Sequence, residues 1–134
     1  MIRVQKLRFF PHLSNPIQAI IVINGVYDLA CAFCIVYLPN TLLGKLHTNM
    51  YQDITKKEKQ SLLTIIFVFG CMRLYSGIFW TQMYQEDNNT FAILSYFLEA
   101  LYFEYKVWYG RVIPWKGHFV SISSILLALM CLRN

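Results

Sequence analysis

The sequence predicts an all-α polytopic membrane protein: an antiparallel four-transmembrane-helix bundle, with a short interfacial amphipathic segment between helices one and two. Three observations predict it. Of 134 residues, 57% are hydrophobic and 14% charged, against about 25% charged in a soluble domain, and the mean hydropathy is +0.43. A soluble fold of this length has too little interior to hide that much apolar surface, whereas a bilayer covers it. Apolar runs of spanning length recur along the chain between polar or turn-forming stretches. Finally, three of those runs carry an ionisable residue near the middle: Asp28, Arg73 and Glu99.

In chain order, residues 1–15 form a basic lead-in (Arg3, Lys6, Arg8) with Phe9 and Phe10 placed to dip into the headgroup region. Pro11, Asn15 and Pro16 separate it from the first apolar run, which is span-length, so no cleavable leader is expected. The first span covers residues 16–37. Proline suits its first turn, where the missing N–H would be unpaired anyway. Leu38-Pro39-Asn40 ends it. Residues 41–60 are rich in charge, but Leu42, Leu43, Leu46, Met50 and Ile54 recur at near-helical spacing, which predicts a short amphipathic helix on the membrane surface. Span two covers residues 61–83. Gln85-Glu86-Asp87-Asn88-Asn89 reads as a tight turn, with Thr90 capping span three over residues 91–107. Tyr102, Tyr105, Trp108 and Tyr109 read as an interfacial aromatic belt. After Gly110-Arg111, Pro114 opens span four, residues 114–132. The whole chain, 1–134, is one membrane domain.

The net charge of +5 does not point to nucleic acid. The basic residues flank apolar runs (Lys56, Lys57 and Lys59; Lys106, Arg111 and Lys116), as they do where a chain meets lipid headgroups. More of them lie on the side of residues 41–60 than on the side of the termini, which places that segment towards the cytoplasm, although the basic flank of span one argues the reverse. Cys31, Cys34, Cys71 and Cys131 all fall in apolar runs and act there as small hydrophobes.

A guanidinium in mid-membrane is costly unless protein or water answers it. Asn24, Asp28 and Cys31 share one face of span one, and Gly70, Arg73 and Gly77 one face of span two. Span three offers Ala92, Ser95, Glu99, Tyr102 and Lys106 at threes and fours, and span four Ser121, Ser124, Ala128 and Cys131. Depth matches: one guanidinium with its five donors serves both carboxylates. Two acids against one base leave one acid to be protonated or hydrogen-bonded to Asn or Tyr. The expected cluster is thus Asn24, Asp28, Arg73, Glu99 and Tyr102, either fixing helix register or forming a pocket. Were the protein an enzyme, Glu99 or Asp28 would be its acid. Other candidates carry less. Cys31-x-x-Cys34 lacks a second pair or a nearby His; His12, His47 and His118 lie in separate segments; Glu104 and Lys106 snorkel at a membrane boundary. No metal or cofactor is expected, since no phosphate-binding loop, G-x-S-x-G or H-E-x-x-H occurs.

Asn24 in helix one, Phe69-Gly70 followed by Arg73, Phe97-Leu98-Glu99, Tyr109-Gly110 and the small-residue fourth helix together carry a resemblance. The chain resembles the ergosterol-biosynthesis scaffold family, small four-helix proteins of the endoplasmic reticulum that tether sterol-modifying enzymes. Asp28 and the Lys-rich residues 56–59 stand outside that pattern. It is also similar to small membrane proteins of protists and large DNA viruses, a likeness that implies no activity. The expectation is a non-enzymatic scaffold or adaptor in the endoplasmic reticulum membrane, with membrane lipids and other membrane proteins or enzymes as partners and no nucleic acid. The first alternative is a sterol- or lipid-binding protein, or an isomerase-type enzyme using an intramembrane acid. It predicts an apolar cavity opening laterally and touching the charged cluster. The second is an oligomeric channel.

Overall fold

The computed structural model describes residues 16–79 and 85–133. The basic lead-in and residues 80–84, the end of the expected second span, lie outside them. Among the described residues the regular structure is helical, with a single isolated β-bridge.

α1, Pro16–Tyr37, has the bounds read from the sequence. α3 runs over Lys56–Ile78 and begins earlier than the expected residue 61. The cause is a reciprocal cap: the Glu58 backbone N–H donates to Thr55 Oγ1 at 3.1 Å, and the Thr55 N–H donates to Glu58 Oε1 at 3.0 Å. Two otherwise unpaired donors are satisfied there, so the lysine-rich stretch is helix rather than loop. α4 spans Gln85–Trp108, which corrects the turn expected over residues 85–89. α5 covers Pro114–Arg133.

The connection between α1 and α3 also departs from expectation. In place of one amphipathic surface helix it forms α2, Leu42–Leu46, and a 3₁₀ turn, Thr48–Met50, followed by extended chain. Thr41 caps the start of α2, accepting from the Gly44 N–H at 3.2 Å, and α2 ends with His47 as its C-cap residue. Met50 and Tyr51 then turn inward and are buried. Tyr51 bridges Val112: the Gln52 N–H donates to the Arg111 carbonyl at 2.9 Å, and the Ile113 N–H to the Met50 carbonyl at 2.7 Å. Arg111 adds a two-pronged ion pair to Glu58, at 2.7 and 2.8 Å. Met50 and Tyr51 thus cap one end of the bundle, while Leu42 and Leu46 stay exposed.

α1 packs on α3, α3 on α4 and α4 on α5, whereas α1 and α5 share no extended contact. The α1–α3 crossing is tight because Gly25 meets Gly70. A Cβ on Gly25 would stand 2.9 Å from the Leu74 backbone nitrogen and 3.0 Å from the Gly70 carbonyl oxygen. One apolar cluster (Cys31, Ile35, Met50, Leu62, Phe103, Val112) lies against the cap, and a second (Ile21, Ala92, Tyr96, Ala128, Cys131) lies towards the other end. Outward faces are apolar as well, with Ile23, Phe33, Phe67, Leu101, Phe119 and Ile122 all exposed.

Among the described residues three helices, α1, α3 and α5 as far as Leu132, are long and apolar enough to cross a membrane. α4, expected as the third of four spans, has 24 residues but carries Glu99, Glu104 and Lys106 along its second half, and it is not among the three.

Candidate functional site

Arg73 is 1% exposed, one of the most deeply buried large side chains described. Gly70 and Gly77, one turn to either side on α3, let α1 approach closely enough for its polar face to reach the guanidinium. Every guanidinium N–H has an acceptor. Nε donates to Ser95 Oγ at 2.9 Å. Nη1 donates to Asn24 Oδ1 at 2.9 Å and to Asp28 Oδ2 at 2.7 Å. Nη2 donates to the Ser95 carbonyl at 3.3 Å and to Glu99 Oε1 at 2.6 Å. The five donors of an arginine are thereby used up by residues of α1 and α4.

The surroundings hold this geometry. The Tyr96 ring centroid lies 4.0 Å from the Arg73 guanidinium carbon, and the Tyr96 hydroxyl donates to Asn24 Oδ1 at 2.9 Å. Ser124 on α5 donates to Glu99 Oε1 at 3.1 Å, and Ser95 Oγ donates back to the Ala92 carbonyl at 2.7 Å. Helices α1, α3, α4 and α5 all contribute a side chain to the cluster.

Of the residues named from sequence, Asn24, Asp28, Arg73 and Glu99 come together. Tyr102 does not. It sits nearer the cap, where its hydroxyl is 2.6 Å from that of Tyr51. Tyr96, three residues before Glu99 rather than three after, takes the place expected of Tyr102. The spacing rule allows both, and only the inward turn of Tyr51, a tertiary event, decides between them.

A cavity of about 830 Å³ lies between α1 and α5. Asp28, Arg73, Tyr96 and Glu99 form its floor, α2 and the following turn its roof, and Trp115, Phe119 and Leu127 part of the α5 wall. His47 borders it from the roof and is 8% exposed, with its ring 6.5 Å from that of Tyr27. Burial holds the His47 pKa below its ordinary value; the charge of Glu99 opposes that shift and the charge of Arg73 adds to it. His47 Nδ1 is buried and has no hydrogen-bond partner among the described residues. No sequence pattern connects His47 with Arg73, because they share neither an element nor a spacing.

The remaining candidates separate from this site. His118 and Glu104 pair with each other at 2.6 Å on the outer side of α4 and α5. Cys31 and Cys34 are free thiols in the interior. Among the described residues no group of three His, Cys, Asp or Glu side chains converges as metal ligands would. Chemically, the site is a set of fixed charges at the bottom of an apolar recess. Each carboxylate spends one oxygen on Arg73, and the second oxygen has no hydrogen-bond partner among the described residues.

No protein-family model, curated protein or solved structure matches the chain.

Proposed function

We propose that the protein is a membrane-embedded binding protein for a small amphiphile, with α1, α3, α4 and α5 all crossing the bilayer. The observation that carries this reading is the cavity of about 830 Å³ between α1 and α5, whose floor is the Asp28–Arg73–Glu99 cluster. Its size falls within the range of ordinary small-molecule sites, about 300–1,000 Å³, and its makeup follows theirs: mostly apolar walls with a few convergent polar groups. The side between α1 and α5 faces the region that acyl chains would occupy, so an apolar ligand enters from the membrane without crossing water. In this reading α4 spans as well. Its acid at mid-depth, Glu99, is covered by Arg73 and Ser124, the condition under which an intramembrane charge is tolerated.

Purification in mild detergent followed by mass spectrometry of extracted small molecules tests the reading. A sterol or other amphiphile retained near one per chain is expected, and Ser123→Trp, which fills the recess from α5, releases it. Recovery of no such molecule from wild type would overturn the proposal.

A second reading is the scaffold: a tether for other membrane proteins in the endoplasmic reticulum. The arrangement Phe69-Gly70, Arg73 and Phe97-Leu98-Glu99 favours it through the family resemblance. The same purification discriminates, since a stoichiometric protein partner that persists in Ser123→Trp supports the scaffold and not the pocket.

A further inference from the structure

We infer that the cavity takes a single-tailed amphiphile ending in a protonated amine, seated against the second oxygens of Asp28 and Glu99. The inference rests on the binding reading above and names the class of ligand.

Charge comes first. With both acids ionised, the floor holds two carboxylates against one guanidinium and is locally one positive charge short, while Lys45 and Lys116 border the opposite end of the cavity. The balance of donors and acceptors points the same way. All the Arg73 N–H groups are engaged, Tyr96 donates to Asn24, Ser124 donates to Glu99 and Ser95 donates to Ala92. At the floor, what remains among the described residues is the outer oxygens of Asp28 and Glu99 and the Asn24 amide N–H₂; His47, whose Nδ1 has no partner, borders the cavity from the roof. An ammonium is donor only and supplies up to three N–H groups, together with the missing charge.

The other end of the cavity sets the body. Leu42, Leu46, Trp115 and Phe119 offer apolar and aromatic surface to a hydrocarbon tail. Lys45 and Lys116 also border the site, and the Lys116 ammonium donates to the Asn49 carbonyl at 3.2 Å. They stand on the capped side and disfavour a cation arriving from water there, which leaves the gap between α1 and α5 as the way in. An anionic amphiphile held by these lysines would lay its methylenes over Asp28 and Glu99, burying charged acceptors without partners.

The test compares three probes with one tail and different heads: dodecylamine, dodecanol and dodecanoate. Each is titrated against the full chain in phosphatidylcholine nanodiscs, with empty nanodiscs subtracted. Wild type is expected to bind the amine at least about tenfold more tightly than the other two, the worth of one hydrogen bond to a charged group. Glu99→Gln and Asp28→Asn should each bring that preference to within about threefold of the alcohol. If these variants fail to fold, the wild-type series alone decides. Alcohol or carboxylate binding as tightly as amine overturns the inference and leaves the pocket standing. Binding of none of the three above empty nanodiscs overturns the inference together with the reading beneath it. A preference for amine that survives in Glu99→Gln and Asp28→Asn places the cation elsewhere and likewise refutes the assignment.

Discussion

Replacing Arg73 by methionine tests the architecture most directly. The substitution keeps much of the side-chain volume but removes five hydrogen bonds and the only cation within reach of Asp28 and Glu99 among the described residues. Asp28 and Arg73 are 4% and 1% exposed, and methionine offers the two carboxylates no donor. Removing one partner of a buried ion pair costs about 3–5 kcal/mol, because the stranded charge has to be neutralised or the helices must part. Converting the whole cluster to neutral groups, in Arg73→Met combined with Asp28→Asn and Glu99→Gln, removes the stranded charges too. It should recover part of the loss, because the amides of Asn and Gln bury no charge. Unfolding in detergent micelles by SDS titration, followed by circular dichroism, reads both values. A single variant within about 1 kcal/mol of wild type, or a triple variant no more stable than the single one, would refute the reasoning that the guanidinium and its acids act as one unit.

Other outcomes follow from separate parts of the molecule. Burial holds His47 neutral, with a pKa below its ordinary 6.5. The unfolded chain then binds the extra proton more readily, so the stability His47 contributes is complete above about pH 6.5 and falls as pH drops below it. In a pH series of unfolding midpoints, His47→Asn should flatten the slope on the acid side of neutrality; an unchanged slope would remove His47 as its source. Gly25→Ala drives a methyl group against α3 backbone and should cost about 1–3 kcal/mol, measurable in the same titration. Thr55→Ala removes the side chain that caps α3 and should cost about 1 kcal/mol. Hydrogen exchange localised to the first turn of α3 separates that fraying from any global loss.

Much of this was legible in the chain, for identifiable reasons. The limits of α1 followed from Pro16 and from Leu38-Pro39-Asn40, because proline acts on the backbone locally whatever surrounds it. Asn24, Asp28, Arg73 and Glu99 share a site because helical periodicity and matched depth constrain which faces meet. The start of α3 was misplaced although Thr55-Lys56-Lys57-Glu58 spells a capping box; hydropathy ranks lysines as loop, while the cap satisfies the backbone regardless. Residues 85–89 show the limit of composition as well, since their turn-forming residues lie within α4. The cap of residues 41–55 was beyond reach. Its fold depends on Tyr51 pairing with Val112, a contact between residues distant in sequence that no local pattern announces. His47 was hidden with it.

The partners of Arg73 come from both sides of it in the chain, and that has a consequence for biogenesis. Asp28 and Asn24 lie on α1 and are made first; Ser95 and Glu99 lie on α4 and are made afterwards. As the chain emerges from the ribosome, Arg73 therefore meets an acid already delivered, and the pair it forms with Asp28 is close to neutral before α4 exists. Glu99 arrives later with the second carboxylate, and Ser124 on α5 donates to it, so the α4–α5 hairpin is the step that completes the shell around Arg73.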